Sequence, residues 1–213
     1  MVNFTVLPAG VILAGGRSSR MAGQSKALLD LNGSPLLQHV IQRILPQVSS
    51  LLLSVERENA QLRAFGLPQV ADIRQGNQGP LGGLLAAMEA LPQGSDCLLL
   101  VPCDAPFLPL DLGQRLAQGL ALHDRAGCMV RYENELQPTF SLWHRRLLPD
   151  LRRAVLDDGL AGFKQFLDRV GLAILDWESA EISPFFNINT PADLARARLL
   201  LESGLCAGPG VPT

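Results

Sequence analysis

Net positive charge and paired cysteines are both missing from this sequence. Its 213 residues include 18 Lys and Arg against 20 Asp and Glu, which gives a formal net charge of -2. A surface that binds nucleic acid through its phosphates needs a basic field, so we expect no nucleic-acid partner. The four cysteines show neither CxxC spacing nor the density of a disulfide scaffold. Three of them lie in apolar stretches, and we interpret these as buried free thiols, which suits a reducing compartment.

Long apolar segments and a targeting signal are missing as well. A membrane helix needs roughly 18 to 20 uninterrupted apolar residues, whereas the apolar stretch that starts at Leu81 is interrupted by Glu89 and Pro92. No Lys or Arg precedes Arg17, although a secretory signal begins with a positive region. These features predict a cytoplasmic protein without membrane contact.

Short apolar runs alternate with segments of helical periodicity in the part of the sequence before Cys128. The apolar runs that we interpret as strands are 11–13, 51–55, 69–72 and 97–101. The helical segments run from an N-cap at Ser34, with Pro35 in the first helical position, to Pro46, from Gly79 to Pro92, and through Leu112, Leu116 and Leu120. This alternation predicts an α/β fold, with a Rossmann-like, mostly parallel sheet and helices on both faces.

The pattern changes after Cys128. Apolar runs at 128–131 and 139–143 flank a polar turn, as in an antiparallel hairpin or an insertion at the sheet edge. Short helices at 145–156 and 163–170, a strand at 173–177, and a final helix from Thr190-Pro191 to Leu201 are predicted next. Because no linker divides the chain, we expect one domain over residues 1–206 and a disordered tail at 207–213.

A glycine-rich loop follows the first predicted strand, and residues 13–26 read LAGGRSSRMAGQSK. Gly15 and Gly16 allow backbone amides to approach an anion closely, and Arg17, Arg20 and Lys26 can neutralise a polyphosphate. The loop has neither the GxxxxGK[ST] pattern of a P-loop nor the GxGxxG pattern of dinucleotide-binding proteins. We therefore expect a nucleoside triphosphate site of another kind.

Two aspartates follow later strands of the predicted sheet. Asp104 comes just after the apolar residues 98–101, where an isolated charge is costly, so we predict that it holds Mg²⁺ together with substrate phosphates. Asp72 has two interpretations of equal weight: it could bind a base or ribose, or it could simply end a strand in a turn. Ligands of open parallel sheets bind at the carboxyl ends of the strands, so these loops are expected to share one site.

Two further segments allow both a functional and a structural interpretation. The glycines of GPLGG at 79–83, including Gly82, precede a helix and could bind an anion, or could let the helix pack closely on the sheet. Asn187 and Asn189 alternate in an extended segment, so both amides could contact one ligand, although a plain turn is an alternative.

Five motifs occur in a fixed order between residues 13 and 194. They are LAGG at 13–16 with Arg20-Met21 and Lys26, GPLGG at 79–83, PCDAPFLP at 102–109, QPT at 137–139 and FNINTPADL at 186–194. In this combination the sequence resembles the molybdenum cofactor guanylyltransferases. The resemblance implies a nucleotidyltransferase fold like that of the nucleotide-diphospho-sugar transferases. It also implies transfer of GMP from GTP to the terminal phosphate of Mo-molybdopterin, with release of pyrophosphate.

The resemblance also implies roles for individual residues. Asp104, Lys26 and Arg20 would be catalytic, and Asp104 would bind Mg²⁺ as the cofactor. The residues implied to contact the substrates are Leu13, Ala14, Gly15, Gly16, Lys26, Asp72, Gly82, Asp104, Asn187 and Asn189. The acceptor phosphate is already ionised, so the reaction needs positioning and charge neutralisation rather than a general base or a Ser or Cys nucleophile.

The sequence departs from the family pattern in two places. Residues 54–57 read SVER where the family tends to place a base-contacting asparagine, and residues 159–162 read GLAG where the family often has arginine. Arg152, Arg153 or Lys164 could replace that arginine near an anionic pterin. The alternatives are a cytidylyl or sugar-nucleotide transferase on the same fold, or a nucleotide-binding regulatory module without turnover. Cofactor-biosynthesis or molybdoenzyme-maturation proteins are further candidate partners.

Overall fold

The structure is a computed structural model that describes residues 7–15, 25–73 and 79–203. The strands are β1 Ala9–Leu13, β2 Asp30–Leu31, β3 Ser34–Pro35, β4 Ser50–Val55, β5 Gln69–Ala71, β6 Cys97–Pro102, β7 Gly127–Tyr132, β8 Glu135–His144 and β9 Ala173–Trp177. The helices are α1 Leu36–Ile44, α2 Gly79–Glu89, α3 Leu112–His123, α4 Leu148–Arg152, α5 Phe163–Val170 and α6 Pro191–Glu202. A π-helical turn, Arg153–Asp157, continues α4, and short 3-10 turns occur at Lys26–Leu28, Leu45–Gln47, Ala60–Phe65 and Arg145–Leu147.

Seven of these strands form one sheet in the order β5-β4-β1-β6-β8-β7-β9. Strand β8 runs antiparallel to both its neighbours, whereas the other pairs of this sheet are parallel. Strands β2 and β3 form a separate small ribbon. The predicted mostly parallel α/β fold is therefore confirmed.

Helices cover both faces of the large sheet because alternate residues of its strands are buried on opposite sides. In β6, Leu99 and Val101 pack in the cluster that includes α1 and α3, and Leu98 and Leu100 pack in the cluster that includes α2, α4 and α5. This alternation follows from the two-residue repeat of a strand. A strand apolar at every position is thus buried on both faces.

The hairpin predicted after Cys128 is present, but it does not lie at the edge of the sheet. Strands β7 and β8 are joined at Glu133 and Asn134, both with positive φ, as a two-residue hairpin turn requires. Strand β8 is inserted between β6 and β7. The reason is burial: Phe140, Leu142 and Trp143 are completely buried, so this half of β8 needs cover on both of its faces.

The start of α1 also differs from the prediction, whereas α6 confirms it. Residues Ser34–Pro35 pair with β2, so Pro35 occupies the N-cap position and the helix begins one residue later than expected. At α6 the Thr190 hydroxyl accepts from the Asp193 amide and the Asp193 carboxylate accepts from the Thr190 amide, which is a capping box. The predicted tail at 207–213 lies outside the described residues. Within the described ranges, no helix is long and apolar enough to cross a membrane.

Candidate functional site

The carboxyl ends of β4, β1 and β6 lie side by side, so the segments that follow these strands begin at the same edge of the sheet. Leu13, the last residue of β1, is level with Ser54 in β4 and with Pro102 in β6. Backbone hydrogen bonds extend this alignment beyond the strands, from Cys103 N to Leu13 O at 3.1 Å and from Ala14 N to Ser54 O at 2.8 Å. The Ala14 amide therefore continues the hydrogen bonding of the sheet and is not free to donate to a ligand.

Three polar side chains from distant parts of the sequence meet at this edge. Lys26 Nζ donates to Asp104 Oδ2 at 2.8 Å and also to Asn189 Oδ1. The Asn189 segment is held in place because the Ile188 amide donates to the Asp104 carbonyl at 2.9 Å. The side chains of Lys26 and Asp104 are only 24% and 13% exposed, so their attraction is less screened than that of a surface pair.

The side chain of Asn187, which lies in the same cavity as Lys26 and Asp104, has a buried oxygen to which no described residue donates a hydrogen bond. Its Oδ1 atom is buried and accepts no hydrogen bond from any residue in the described ranges. Buried side-chain oxygens are seldom left without a donor, because the lost solvation is not recovered. The Asn187 amide therefore marks a position at which a substrate group or a cation would complete the site.

A cavity of about 300 Å³ surrounds these groups, and we call it the Lys26–Asp104 cavity. It is lined by Leu13, Ala14, Gly15, Lys26, Pro80, Pro102, Cys103, Asp104, Thr139, Asn187 and Asn189. A second cavity of about 320 Å³, the Glu56 cavity, is lined by Ala14, Gly15, Ser25, Val55, Glu56, Arg57, Glu58, Asn59, Ala60 and Leu62. The two cavities share Ala14 and Gly15, so they form adjoining halves of one groove.

The donor set around Asp104 is suited to Mg²⁺ whose coordination is completed by a substrate. Lys26 bonds to Oδ2 of Asp104, and Oδ1 of Asp104 and the buried Oδ1 of Asn187 belong to residues that line the same cavity and could hold a cation. Within residues 7–15, 25–73 and 79–203, no group of three or more His, Cys, Asp or Glu side chains is arranged so that it could hold a metal ion by itself. Mg²⁺ normally takes one or two protein carboxylates together with waters and substrate phosphates, so this sparse set fits it.

Asp72 lies beside the Glu56 cavity rather than among the residues that line either cavity. Its amide donates to the Val55 carbonyl at 3.1 Å, which places it just beyond β5. Partial burial, and then the charge of Glu56, raise the pKa of the Asp72 carboxyl to about 6. Both earlier interpretations of Asp72, base or ribose contact and strand end, therefore remain predictions.

The glycines at the start of α2 make close packing contacts. Gly79 has a φ of +56°, and a Cβ there would be 2.5 Å from the Ala161 carbonyl oxygen, which accepts from the Leu81 amide. At Gly83 a Cβ would be 2.4 Å from Ser54 Oγ. Close packing of the helix on the sheet is thus supported at Gly83, whereas Gly79 packs against the loop that precedes α5. Gly82 is buried within the helix and is not among the residues that line the two cavities, so its substrate contact remains a prediction.

Several predicted residues cannot be placed, and others lie away from the groove. Gly16, Arg17 and Arg20 lie outside the described residues. Of the three candidates to replace the family's arginine, Arg152 pairs with Glu89, Arg153 lines a separate surface cavity and Lys164 is exposed on α5.

Thr139 and Glu56 are cavity residues that the sequence analysis did not predict as site residues. Thr139 belongs to the QPT motif, and Glu56 is a charged residue directly after a buried strand. Those two signals were available in the sequence.

Cys97, Cys103 and Cys128 are buried free thiols, as predicted, and Cys206 lies outside the described residues. Burial, with the neighbouring Asp104 charge, raises the pKa of the Cys103 thiol. Although Cys103 lines the Lys26–Asp104 cavity, its thiol is therefore a poor nucleophile.

A groove at the carboxyl edge of a mostly parallel sheet is where open α/β folds bind their ligands, and here one half of it holds a cation and a carboxylate. The family model described as MobA-like NTP transferase domain matches residues 10–172. The protein is therefore a nucleotidyltransferase. The fold resembles that of molybdopterin-guanine dinucleotide biosynthesis protein A from Archaeoglobus fulgidus, with a TM-score of 0.76, 22% identity, and coverage of 92% of this chain and 99% of that one. It also resembles CMP:2-keto-3-deoxy-manno-octonic acid synthetase complexed with CTP, with a TM-score of 0.72, 19% identity, and coverage of 92% and 99%.

Closer relatives identify the family. The molybdenum cofactor guanylyltransferase of Mesorhizobium japonicum is 38% identical over 200 residues, 92% of this chain and 96% of the relative. That of Vibrio cholerae is 40% identical over 187 residues, 87% of this chain and 89% of the relative. The chain belongs to the molybdenum cofactor guanylyltransferase family, as the sequence motifs predicted.

Proposed function

We propose that the protein transfers GMP from GTP to the terminal phosphate of Mo-molybdopterin, with Mg²⁺ as cofactor, and releases pyrophosphate. The observation that carries the proposal is the Lys26–Asp104–Asn189 cluster, which the fold assembles from three distant segments in one cavity. The names of the relatives, molybdenum cofactor guanylyltransferases, supply the nucleotide and the acceptor.

The reaction joins a phosphate oxygen of the acceptor to the α-phosphorus of GTP and breaks the bond from that phosphorus to the bridging oxygen of the β-phosphate. The acceptor oxygen is ionised at neutral pH, so the site needs no general base. What it must provide is alignment of the two phosphates and neutralisation of the charge that builds up on pyrophosphate.

The residues of the Lys26–Asp104 cavity are suited to these two tasks. The Lys26 ammonium would contact the GTP phosphates while Asp104 and Asn189 orient it through the bonds that they already accept. Mg²⁺ on Asp104 would supply further charge neutralisation at the phosphates. Asn187 and Thr139, on the wall away from Glu56, would then contact the reacting phosphates or the acceptor.

A pyrophosphate-release assay with Mo-molybdopterin tests the proposal. We expect turnover with GTP and Mg²⁺, much less with CTP, and loss of activity in EDTA that added Mg²⁺ restores. Asp104→Asn should lower kcat by about 10²–10³-fold, because it removes a carboxylate that holds the metal and orients Lys26.

Asp111→Asn is the matched control, since Asp111 is exposed at the start of α3 and lines neither cavity of the groove. Full activity of Asp104→Asn would contradict the metal assignment. A preference for CTP would contradict guanylyl transfer and favour the cytidylyl alternative. Nucleotide binding without any pyrophosphate release would favour the regulatory alternative.

A further inference from the structure

The Glu56 cavity is continuous with the half of the groove that holds Lys26 and Asp104. Gly15 lies between the two halves, and a Cβ on Gly15 would be 3.0 Å from the Glu56 backbone nitrogen. Gly15, just after β1, therefore packs directly against the start of the segment that follows β4. A nucleotide that places its phosphates at Lys26 has the neighbouring cavity available for its base.

Two carboxylates line the Glu56 cavity, and their surroundings differ. Glu58 is 67% exposed and forms an ion pair with Arg63 at 2.8 Å. Glu56 is half-buried directly after β4, and its carboxylate has no hydrogen bond or ion pair with any residue that the structure describes. Of the two, Glu56 is the carboxylate that is available to a ligand.

The loop that carries Glu56 is tied to the neighbouring strand. The Asn59 amide donates to Gln69 Oε1 at 2.9 Å, and Gln69 Nε2 donates to the Asn59 carbonyl at 3.0 Å. Asn59 Oδ1 also accepts from the Gln61 amide, which caps the 3-10 turn that follows. These bonds hold the wall of the cavity in one shape before a ligand binds, so little ordering is needed on binding.

The hydrogen-bonding edges of the bases distinguish guanine from cytosine at a carboxylate. Guanine presents two adjacent donors, N1–H and the 2-amino group, which can bond both oxygens of one carboxylate. Cytosine presents its 4-amino donor beside the N3 acceptor, and N3 would face a carboxylate oxygen without a proton between them. A carboxylate in the base site therefore favours guanine.

We propose that Glu56 selects guanine in this protein by accepting hydrogen bonds from N1–H and the 2-amino group of GTP. This inference rests on the proposed function and names the residue that determines its base specificity. The charge of Glu56 also contributes to the raised pKa of Asp72, so two donors brought by a base would relieve a repulsion present without ligand.

Binding titrations in Mg²⁺ without the pterin test this inference, and they use four nucleotides: GTP, inosine triphosphate, xanthosine triphosphate and CTP. The wild type should bind GTP about tenfold tighter than inosine triphosphate, which lacks the 2-amino group. Glu56→Gln should weaken GTP binding about tenfold to hundredfold and remove the preference over inosine triphosphate.

A nucleotide that Glu56→Gln binds more tightly than the wild type does would show that the variant is folded. Glu56→Gln should bind xanthosine triphosphate more tightly than the wild type does, because glutamine can accept from N1–H and donate to the C2 carbonyl. Glu135→Gln, at an exposed position at the start of β8 that lines neither cavity of the groove, should leave all four affinities unchanged.

The outcomes separate this inference from the proposed function. A wild type that binds no nucleoside triphosphate overturns the proposed function and this inference with it. A wild type that binds GTP and inosine triphosphate equally, or a Glu56→Gln variant with unchanged nucleotide preferences, overturns the role of Glu56 alone. The comparison of GTP with inosine triphosphate uses wild-type protein, so it can overturn the role of Glu56 even if the variant does not fold.

Discussion

The two halves of the groove share Ala14 and Gly15 but carry different arrangements of charge. In the Lys26–Asp104 cavity the carboxylate is bonded to an ammonium, and a third side chain, Asn189, holds that ammonium from the other side. In the Glu56 cavity the half-buried carboxylate is bonded to no cation in the described ranges and lies near a second acid, Asp72. The difference matches the two ends of a nucleotide: anionic phosphates need cations, whereas a neutral base with N–H donors needs acceptors.

The largest expected effect comes from removing the cation of the first cavity. Lys26→Met should lower kcat/KM with GTP by about 10²–10³-fold, since an ammonium that contacts the phosphates is lost. Guanosine, which has no phosphate, should bind wild type and variant alike, as measured by ligand-observed NMR. Lys164, the other lysine of the sequence, provides the control Lys164→Met, for which GTP affinity should not change. If Lys26→Met weakened the binding of GTP and of guanosine equally, the assignment of the phosphates to one cavity and of the base to the other would be wrong.

A smaller effect is expected at Gly83, where α2 packs closely against the ends of β1 and β4. Gly83→Ala would place a Cβ 2.4 Å from Ser54 Oγ and 2.9 Å from Leu13 Cδ2, so the short Ser54 side chain and the Leu13 side chain, or α2 itself, would have to move. We expect a loss of about 1–2 kcal/mol in the free energy of unfolding, measured with urea, despite the higher helix propensity of alanine.

Gly113→Ala in α3 is the matched control for that substitution, because the nearest atom to its added Cβ is Leu99 Cδ2 at 3.1 Å, the end of a flexible side chain. A Gly83→Ala variant as stable as the Gly113→Ala variant would show that the close approach of α2 to Ser54 and Leu13 does not require glycine.

The smallest effect concerns the pH dependence of stability at Asp72. Because its pKa is raised to about 6 in the folded protein, the ionised form destabilises the fold; this cost is present above that pH and absent below the ordinary value near 3.8. Asp72→Asn should therefore gain about 1 kcal/mol of stability near pH 8, after allowance for partial solvent exposure, and little near pH 4.5.

Thermal unfolding at the two pH values measures this difference. Asp176→Asn is a control of opposite sign, because a hydrogen bond from Arg131 lowers the pKa of Asp176 and stabilises its ionised form. A gain for Asp72→Asn that is the same at both pH values would show that ionisation is not its cause.

Local patterns were sufficient to predict most elements of the fold. Alternating apolar runs predicted the parallel strands, and the Thr190-Pro191 signal predicted α6 because a capping box is formed by residues three positions apart. The insertion of β8 between β6 and β7 was not predicted, since strand order depends on which faces need cover. The start of α1 was displaced because Pro35 pairs with β2, a contact that helix signals do not include.

The sequence by itself determined the chemical groups of the candidate site. The glycine loop with Lys26 and the isolated Asp104 follow buried strands, and Asn187 and Asn189 alternate in an extended segment. The tertiary structure decided which of them meet. Lys26 and Asn189 are 163 positions apart and are joined only when the carboxyl ends of β1 and β6 align. It also decided that Glu56 faces a cavity, because burial and pairing depend on neighbours from β5 and the loop after β1 that no local pattern specifies.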